Sequence, residues 1–139
     1  MQLLSMRRIG LAGMAAMMLM AVGCASTRVN FVGPPNTVMY VDGKPYNLPT
    51  SIEMSRPPGP PGYNRHEVSL VATVDSRELR AKGHIDVYGF NESDADKYAV
   101  NSCNLDETQL ARIFDGNVLV FKGQSASRQP LYDLTLGKE

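Results

Sequence analysis

Two stretches of alternating residues face each other across a three-residue break, and nothing else in the chain restricts its fold as much. In residues 67–74, Val68, Leu70, Ala72 and Val74 recur at every second position. In residues 78–90, Leu79, Ala81, Ile85 and Val87 do the same against basic and polar neighbours. A period of two puts each apolar set on one face of a strand. Joined through Asp75-Ser76-Arg77, the two stretches are expected to form a long hairpin with one buried face.

The other local signals are shorter. Thr37 to Val41 is β-branched and aromatic, and Asp42-Gly43 suits the positive-φ corner of a two-residue hairpin turn, so residues 38–41 and 44–46 should pair. Residues 49–54 read as a further strand. The run Pro57-Pro58-Gly59-Pro60-Pro61-Gly62 then stops regular pairing, because proline lacks a donor and has a fixed φ. A loop from Arg56 to Tyr63 is expected to project there. Residues 91–101 are polar and irregular. Asn104 with Glu107 has capping-box spacing, Leu110, Ala111, Ile113 and Phe114 make an apolar stripe, and Gly116 supplies a stop. One short α-helix is therefore expected near residues 105–115. Residues 118–121 and 131–136 complete the chain as two strands joined by a loop. Strands without intervening helices cannot build a parallel sheet. The expected fold is mainly β, a small antiparallel β-sandwich or partly open barrel with that one helix.

The first two dozen residues differ in character. Arg7 and Arg8 precede an apolar run over residues 9–22, the charged-then-apolar order of a secretory signal. The run is shorter than the roughly 20 residues a membrane-spanning helix needs. The adjacent arginines fit a loose twin-arginine pattern, although the general secretory route is the expectation. The segment ends in Ala21-Val22-Gly23-Cys24, which resembles the lipobox of bacterial lipoproteins. The resemblance implies cleavage between Gly23 and Cys24, a diacylglycerol on the Cys24 thiol, and acylation of the freed amine. Ala21 stands where leucine is commonest. With Ala25 and Ser26 after the cysteine and no aspartate, the family's sorting implies an outer-membrane anchor facing the periplasm in a Gram-negative cell. Each buried methylene contributes about 0.8 kcal/mol, so two or more acyl chains hold a protein stably at a membrane.

The expected organisation is thus a cleaved signal over residues 1–23, a lipidated N-terminus and tether over residues 24–36 ending in Gly33-Pro34-Pro35-Asn36, in which Phe31 and Val32 could dock as a first strand, and a single β-rich domain over residues 37–139. Six of the eight methionines lie before Cys24, so methionine richness belongs to the signal. Arg7 and Arg8 leave with it, and the remaining basic residues are slightly outnumbered by the 14 acidic ones. Charges of both signs are mixed along the chain, which gives no reason to expect nucleic-acid binding. A lipidated Cys24 leaves Cys103 without a partner thiol in the chain, as a buried small hydrophobe or a reactive thiol.

Chemistry is sparse. His66 and His84 are the only imidazoles, and neither sits in a recognisable catalytic motif. Cys103 with either histidine would be a nucleophile pair of a small envelope hydrolase. Asp94 and Asp96, with Asn91 and Glu92 nearby, carry oxygens, but Ala99 stands where a calcium loop needs glycine, so no metal is expected. No cofactor is expected beyond the covalent lipid on Cys24. Arg80, Lys82 and His84 share one strand face, a basic stripe suited to anionic envelope polymers or an acidic patch on a partner, or else a charged solvent face. The loop from Arg56 to Tyr63, ending in an aromatic residue, would suit insertion into a partner, or is a surface excursion.

The segment Val38-Met39-Tyr40-Val41-Asp42-Gly43-Lys44-Pro45, then Leu48-Pro49-Thr50, Pro61-Gly62 and His66-Glu67-Val68, resembles the PEGA-type module of bacterial surface proteins. The likeness spans residues 37–74. Pro49-Thr50 reverses the usual order, and residues 55–61 have no counterpart. The resemblance implies a non-catalytic β-sandwich used for interaction. Together these features lead to the expectation of a membrane-anchored, non-catalytic binding or structural module for an envelope protein or cell-wall polymer. Two alternatives stay open: an immunity-type lipoprotein whose Arg56-to-Tyr63 loop plugs a toxin, and a small envelope hydrolase.

Overall fold

The computed structural model describes residues 25–97 and 100–139, so the signal segment, Gly23 and Cys24 lie outside the described residues. The strands are β1 (Ala25–Val32), β2 (Val38–Val41), β3 (Lys44–Asn47), β4 (Thr50–Arg56), β5 (Tyr63–Val74), β6 (Arg77–Tyr88), β7 (Ser102–Asn104), β8 (Leu119–Gln124) and β9 (Pro130–Lys138). Among the described residues two helices, α1 (Asp94–Lys97) and α2 (Glu107–Phe114), interrupt them. The strands form a six-stranded sheet in the order β3-β2-β5-β6-β9-β8 and a three-stranded sheet in the order β4-β1-β7. All neighbours are antiparallel except β1 and β7. The fold is mainly β and sandwich-like, and neither sheet closes into a barrel.

The long hairpin sets the frame. β5 and β6 pair without a break from Tyr63↔Tyr88 to Val74↔Arg77, and Asp75 and Ser76 turn the corner with φ of 50° and 63°. Val68, Leu70, Ala72 and Val74 on β5 and Leu79, Ala81, Ile85 and Val87 on β6 are all buried, as their alternation requires. Between Ala81 and Ile85 the inner position is Gly83. A Cβ there would stand 1.7 Å from the Thr135 carbonyl oxygen of β9, so the close approach of the two strands requires glycine. The Asp42-Gly43 turn forms as expected, with φ of 50° and 82°, and joins β2 to β3. Pro45 lies on β3, an edge strand, where its missing donor costs nothing.

Two expectations are corrected. Residues 25–32 are no tether: β1 is the middle strand of the smaller sheet, with Thr27, Val29 and Phe31 buried and Ser26, Arg28 and Val32 on the other face. β1 pairs with β4 from Ala25↔Arg56 to Phe31↔Thr50, and with β7 through Phe31↔Cys103. Its alternation is one Thr and two apolar residues long, and a following Pro-Pro pair conceals it. Second, α2 begins later than the capping-box spacing suggests. Asn104 ends β7, and the cap is Asp106, whose carboxylate accepts from the Thr108 amide at 2.7 Å. Glu107 instead accepts from the Asp75 amide in the β5–β6 turn.

The facing sides of the two sheets share one hydrophobic cluster. Val29, Phe31, Ile52 and Met54 come from the smaller sheet, and Leu70, Ile85, Leu134 and Leu136 from the larger. α2 seals one end with Leu110 and Ile113. At the other end lie the start of β1, the Pro57–Gly62 segment, and the turn from β8 to β9. The outer face of the larger sheet is left to solvent.

Candidate functional site

On that outer face, β2, β5 and β6 contribute Val38 and Tyr40, Glu67, Ser69 and Val71, and Arg80, Lys82 and His84. The registers Tyr40↔Ser69 and Ser69↔Lys82 form one row, and Glu67↔His84 the next. Two adjoining shallow depressions, of about 530 and 420 Å³, run across these rows and share Tyr40, Ser69 and Lys82. A phenol face, a hydroxyl, a carboxylate and a lysine thus converge on an open trough.

The three basic residues share a face of β6, but their charges are unequally available. Arg80 is 3.1 Å from Glu78, and the His84 ring is 4.0 Å from Asp86. Lys82 has no ion-pair partner among the described residues. Beyond His84 the face becomes an organised polar row. Arg65 donates twice to Asp86, at 2.8 and 3.0 Å, which holds the Asp86 carboxyl below its ordinary range despite partial burial. Tyr88 donates to Asp133 at 2.7 Å, and that bond, with burial, pushes the phenol up to about 12.

Arg56 is not the exposed contact the sequence suggested. It is buried at the end of β4, donates to the Ser26 and Pro57 carbonyls at 3.3 and 3.1 Å, and lies 4.2 Å over the Phe90 ring. A guanidinium so engaged fixes the loop's base, which argues against its acting as part of a plug. Tyr63, by contrast, is 51 % exposed, with its ring 5.8 Å from that of Tyr88. The proline segment between them is folded onto Gly89, whose amide donates to the Gly62 carbonyl at 2.9 Å; a Cβ on Gly89 would stand 2.4 Å from the Gly59 oxygen.

The histidines do not meet Cys103. That thiol is buried among core residues beside the Tyr132 hydroxyl, and burial pushes it up to about 11, which keeps it in the neutral, unreactive form. His66 makes a contact the sequence did not suggest. Its Nδ1 lies 2.7 Å from Asp42 Oδ2, and its Nε2 lies 3.0 Å from the Ser55 carbonyl and 3.4 Å from Ser55 Oγ. This Asp-His-Ser row has the outline of a hydrolytic triad. Nε2, however, lies nearer the Ser55 carbonyl than the Ser55 hydroxyl, so the ring joins Asp42 to the backbone of β4. The row is a clamp between the β2–β3 turn of one sheet and β4 of the other. Burial works to raise the Asp42 carboxyl, but hydrogen bonds from His66 and the Glu67 amide outweigh it and lower it. Only folding brings residues 42, 55 and 66 together, and no spacing motif announces them.

Asp96 gathers the far side of the same end. It accepts from Ser93 Oγ at 2.9 Å, from the Ser127 amide and hydroxyl at 3.1 and 2.8 Å, and from Gln129 at 3.3 Å. Burial opposes its charge, but these bonds prevail and hold its carboxyl far below the usual range. Asp96 therefore ties α1 to the β8–β9 turn. No group of His, Cys, Asp and Glu among the described residues is arranged to hold a metal. Compared with protein-family models, with curated proteins and with solved structures, the chain matches none.

Proposed function

We propose that this chain is a lipid-anchored envelope protein, held through Cys24, whose folded part is a non-catalytic binding module. The observation that carries the binding reading is the open trough on the outer face of the larger sheet. Tyr40, Ser69, Lys82 and Glu67 converge there on a floor of paired strands, and the depression is open to solvent along its length. A trough running across several strands suits an extended ligand. Lys82, which makes no ion pair among the described residues, stands beside Arg80 and His84 and suits a ligand with negative charge at that point, while Glu67 and Glu139 line the same trough. A cell-wall polymer or an acidic segment of an envelope protein has that chemistry. The lipobox supports the address, and the resemblance to a PEGA-type module supports a non-catalytic role.

Two substitutions and two assays test this. Mature protein is sedimented with purified cell-wall sacculi, and a photocrosslinking residue at Ser69, with one at Gln109 on α2 as control, is activated in living cells. Sedimentation, or crosslinks at Ser69 well above those at Gln109, is expected, and Lys82→Glu and Tyr40→Ala should each reduce it about tenfold, corresponding to about 1.4 kcal/mol. Absence of sedimentation together with equal crosslinking at the two positions removes the outer face as the binding surface.

A further inference from the structure

The start of β1 lies beside the proline segment, and this has a geometrical consequence for any lipid on Cys24. Ala25 pairs with Arg56 across an antiparallel ladder, and Pro57 follows directly. Paired Cα atoms in such a ladder stand about 5 Å apart, and adjacent residues about 3.8 Å. An acylated Cys24 is therefore within about 13 Å of the Pro57 backbone. With β1 folded from Ala25 onward, no length of free chain is left to lift the domain from the lipid. The end of the sandwich that carries Pro57–Gly62 must stand on the bilayer.

The surface presented there fits that position. Pro58, Pro60, Pro61 and Tyr63 are exposed, uncharged and partly apolar. The segment is pre-ordered by its prolines, by the Gly89–Gly62 hydrogen bond and by Arg56 beneath it, so contact costs little additional ordering. Tyr63 has the amphipathic ring favoured at the level of lipid headgroups. Several nearby charges are matched within the protein, Arg65 with Asp86, Lys97 with Asp94 and Arg56 with Glu92, while Arg128 in the β8–β9 turn is exposed and makes no ion pair among the described residues. A neutral, aromatic-tipped surface with several paired charges beside it suits a zwitterionic lipid interface and has little use for anionic lipid.

We propose that the Pro57–Gly62 segment and Tyr63 form a membrane-contact surface that seats the domain on the headgroup layer of its own bilayer, with β5 and β6 running away from it. The proposal rests on the anchoring of Cys24. The chain contains no tryptophan, so one introduced residue reports alone. Full-length protein carrying Tyr63→Trp, Pro58→Trp or Thr73→Trp is expressed, purified from membranes, checked by mass spectrometry for acylation of Cys24, and reconstituted into phosphatidylcholine vesicles brominated on one acyl chain. Thr73 lies on the same face of β5, ten positions from Tyr63, or roughly 33 Å away.

At least one of the two reporters at 58 and 63 should be quenched about twofold or more relative to Thr73→Trp, and adding phosphatidylglycerol or salt should leave the quenching unchanged. If the chain is acylated and neither reporter is quenched more than Thr73→Trp, the contact surface is overturned and the anchor stands. Quenching that appears only with phosphatidylglycerol and disappears in salt also overturns it, since charge would then hold the domain. A chain recovered without acyl groups overturns the anchor and this proposal with it.

Discussion

The Thr27 hydroxyl is buried on the inner face of β1 and finds no hydrogen-bond partner among the described residues. A buried hydroxyl stripped of water and left unpaired carries a desolvation penalty of about 1–3 kcal/mol. Thr27→Val keeps the shape and β-branching and removes the penalty. Thermal unfolding of the mature domain should therefore rise by roughly 4–8 °C for each kcal/mol regained. A fall would mean that Thr27 has a partner in solution. The opposite sign applies at Gly83, where even one methyl group would collide with the Thr135 carbonyl and part β6 from β9.

At the scale of elements, the decisive strand is β1. If residues 25–36 were a tether, truncating Phe31 would cost nothing. Because Phe31 is buried between β4 and β7 and belongs to the shared core, Phe31→Ala should lower the unfolding free energy by about 3–5 kcal/mol, read from urea denaturation. An unchanged midpoint would restore the tether. The contrast with the β5–β6 hairpin shows what was legible. There, eight apolar positions alternate over two twelve-residue strands, and the pattern alone fixes which face is buried. β1 offers only Val29 and Phe31, and the smaller sheet is assembled from strands distant in sequence, including a three-residue β7 whose pairing is parallel. Such pairing is decided by packing. Helix α2 was legible from its stripe and from Gly116, but Asp106 and Asn104 are both good caps, and only the path of β7 chooses between them. The basic stripe was readable from alternation, whereas the Asp42–His66–Ser55 clamp joins two sheets and leaves no local trace. Arg56 shows the converse: its position beside the prolines looks exposed in sequence, and Phe90, far along the chain, draws it inward.

For the whole molecule, titration ties the core to the surface rows and gives the pH range over which the sandwich holds. Cys103 is held near 11 by burial against an ordinary 9.0, Tyr88 near 12 against 10.0 mainly through Asp133, and burial raises Tyr132 as well. Each of these groups is neutral when protonated and has its folded-state value raised. Its stabilising contribution is therefore complete below the unfolded-state value and is lost as pH rises toward the folded-state value. Stability should fall progressively above about pH 9, with Cys103 responsible for the first part, between its unfolded value and about 11. On the acid side Asp42, Asp86 and Asp96 are all lowered, so their contribution is present above the ordinary carboxylate range and is lost as pH falls through their folded-state values. Urea midpoints measured from pH 3 to pH 12 should trace a plateau with both shoulders. Cys103→Ala, though less stable at neutral pH through its lost side-chain volume, should decline less between pH 9 and 11 than the parent. The parent thiol should also resist alkylation at pH 8 until urea exposes it. A parent and variant with parallel alkaline limbs would show that Cys103 does not titrate with unfolding. The core would then have to be more open around β7 than the packing of Phe31, Cys103 and Tyr132 describes.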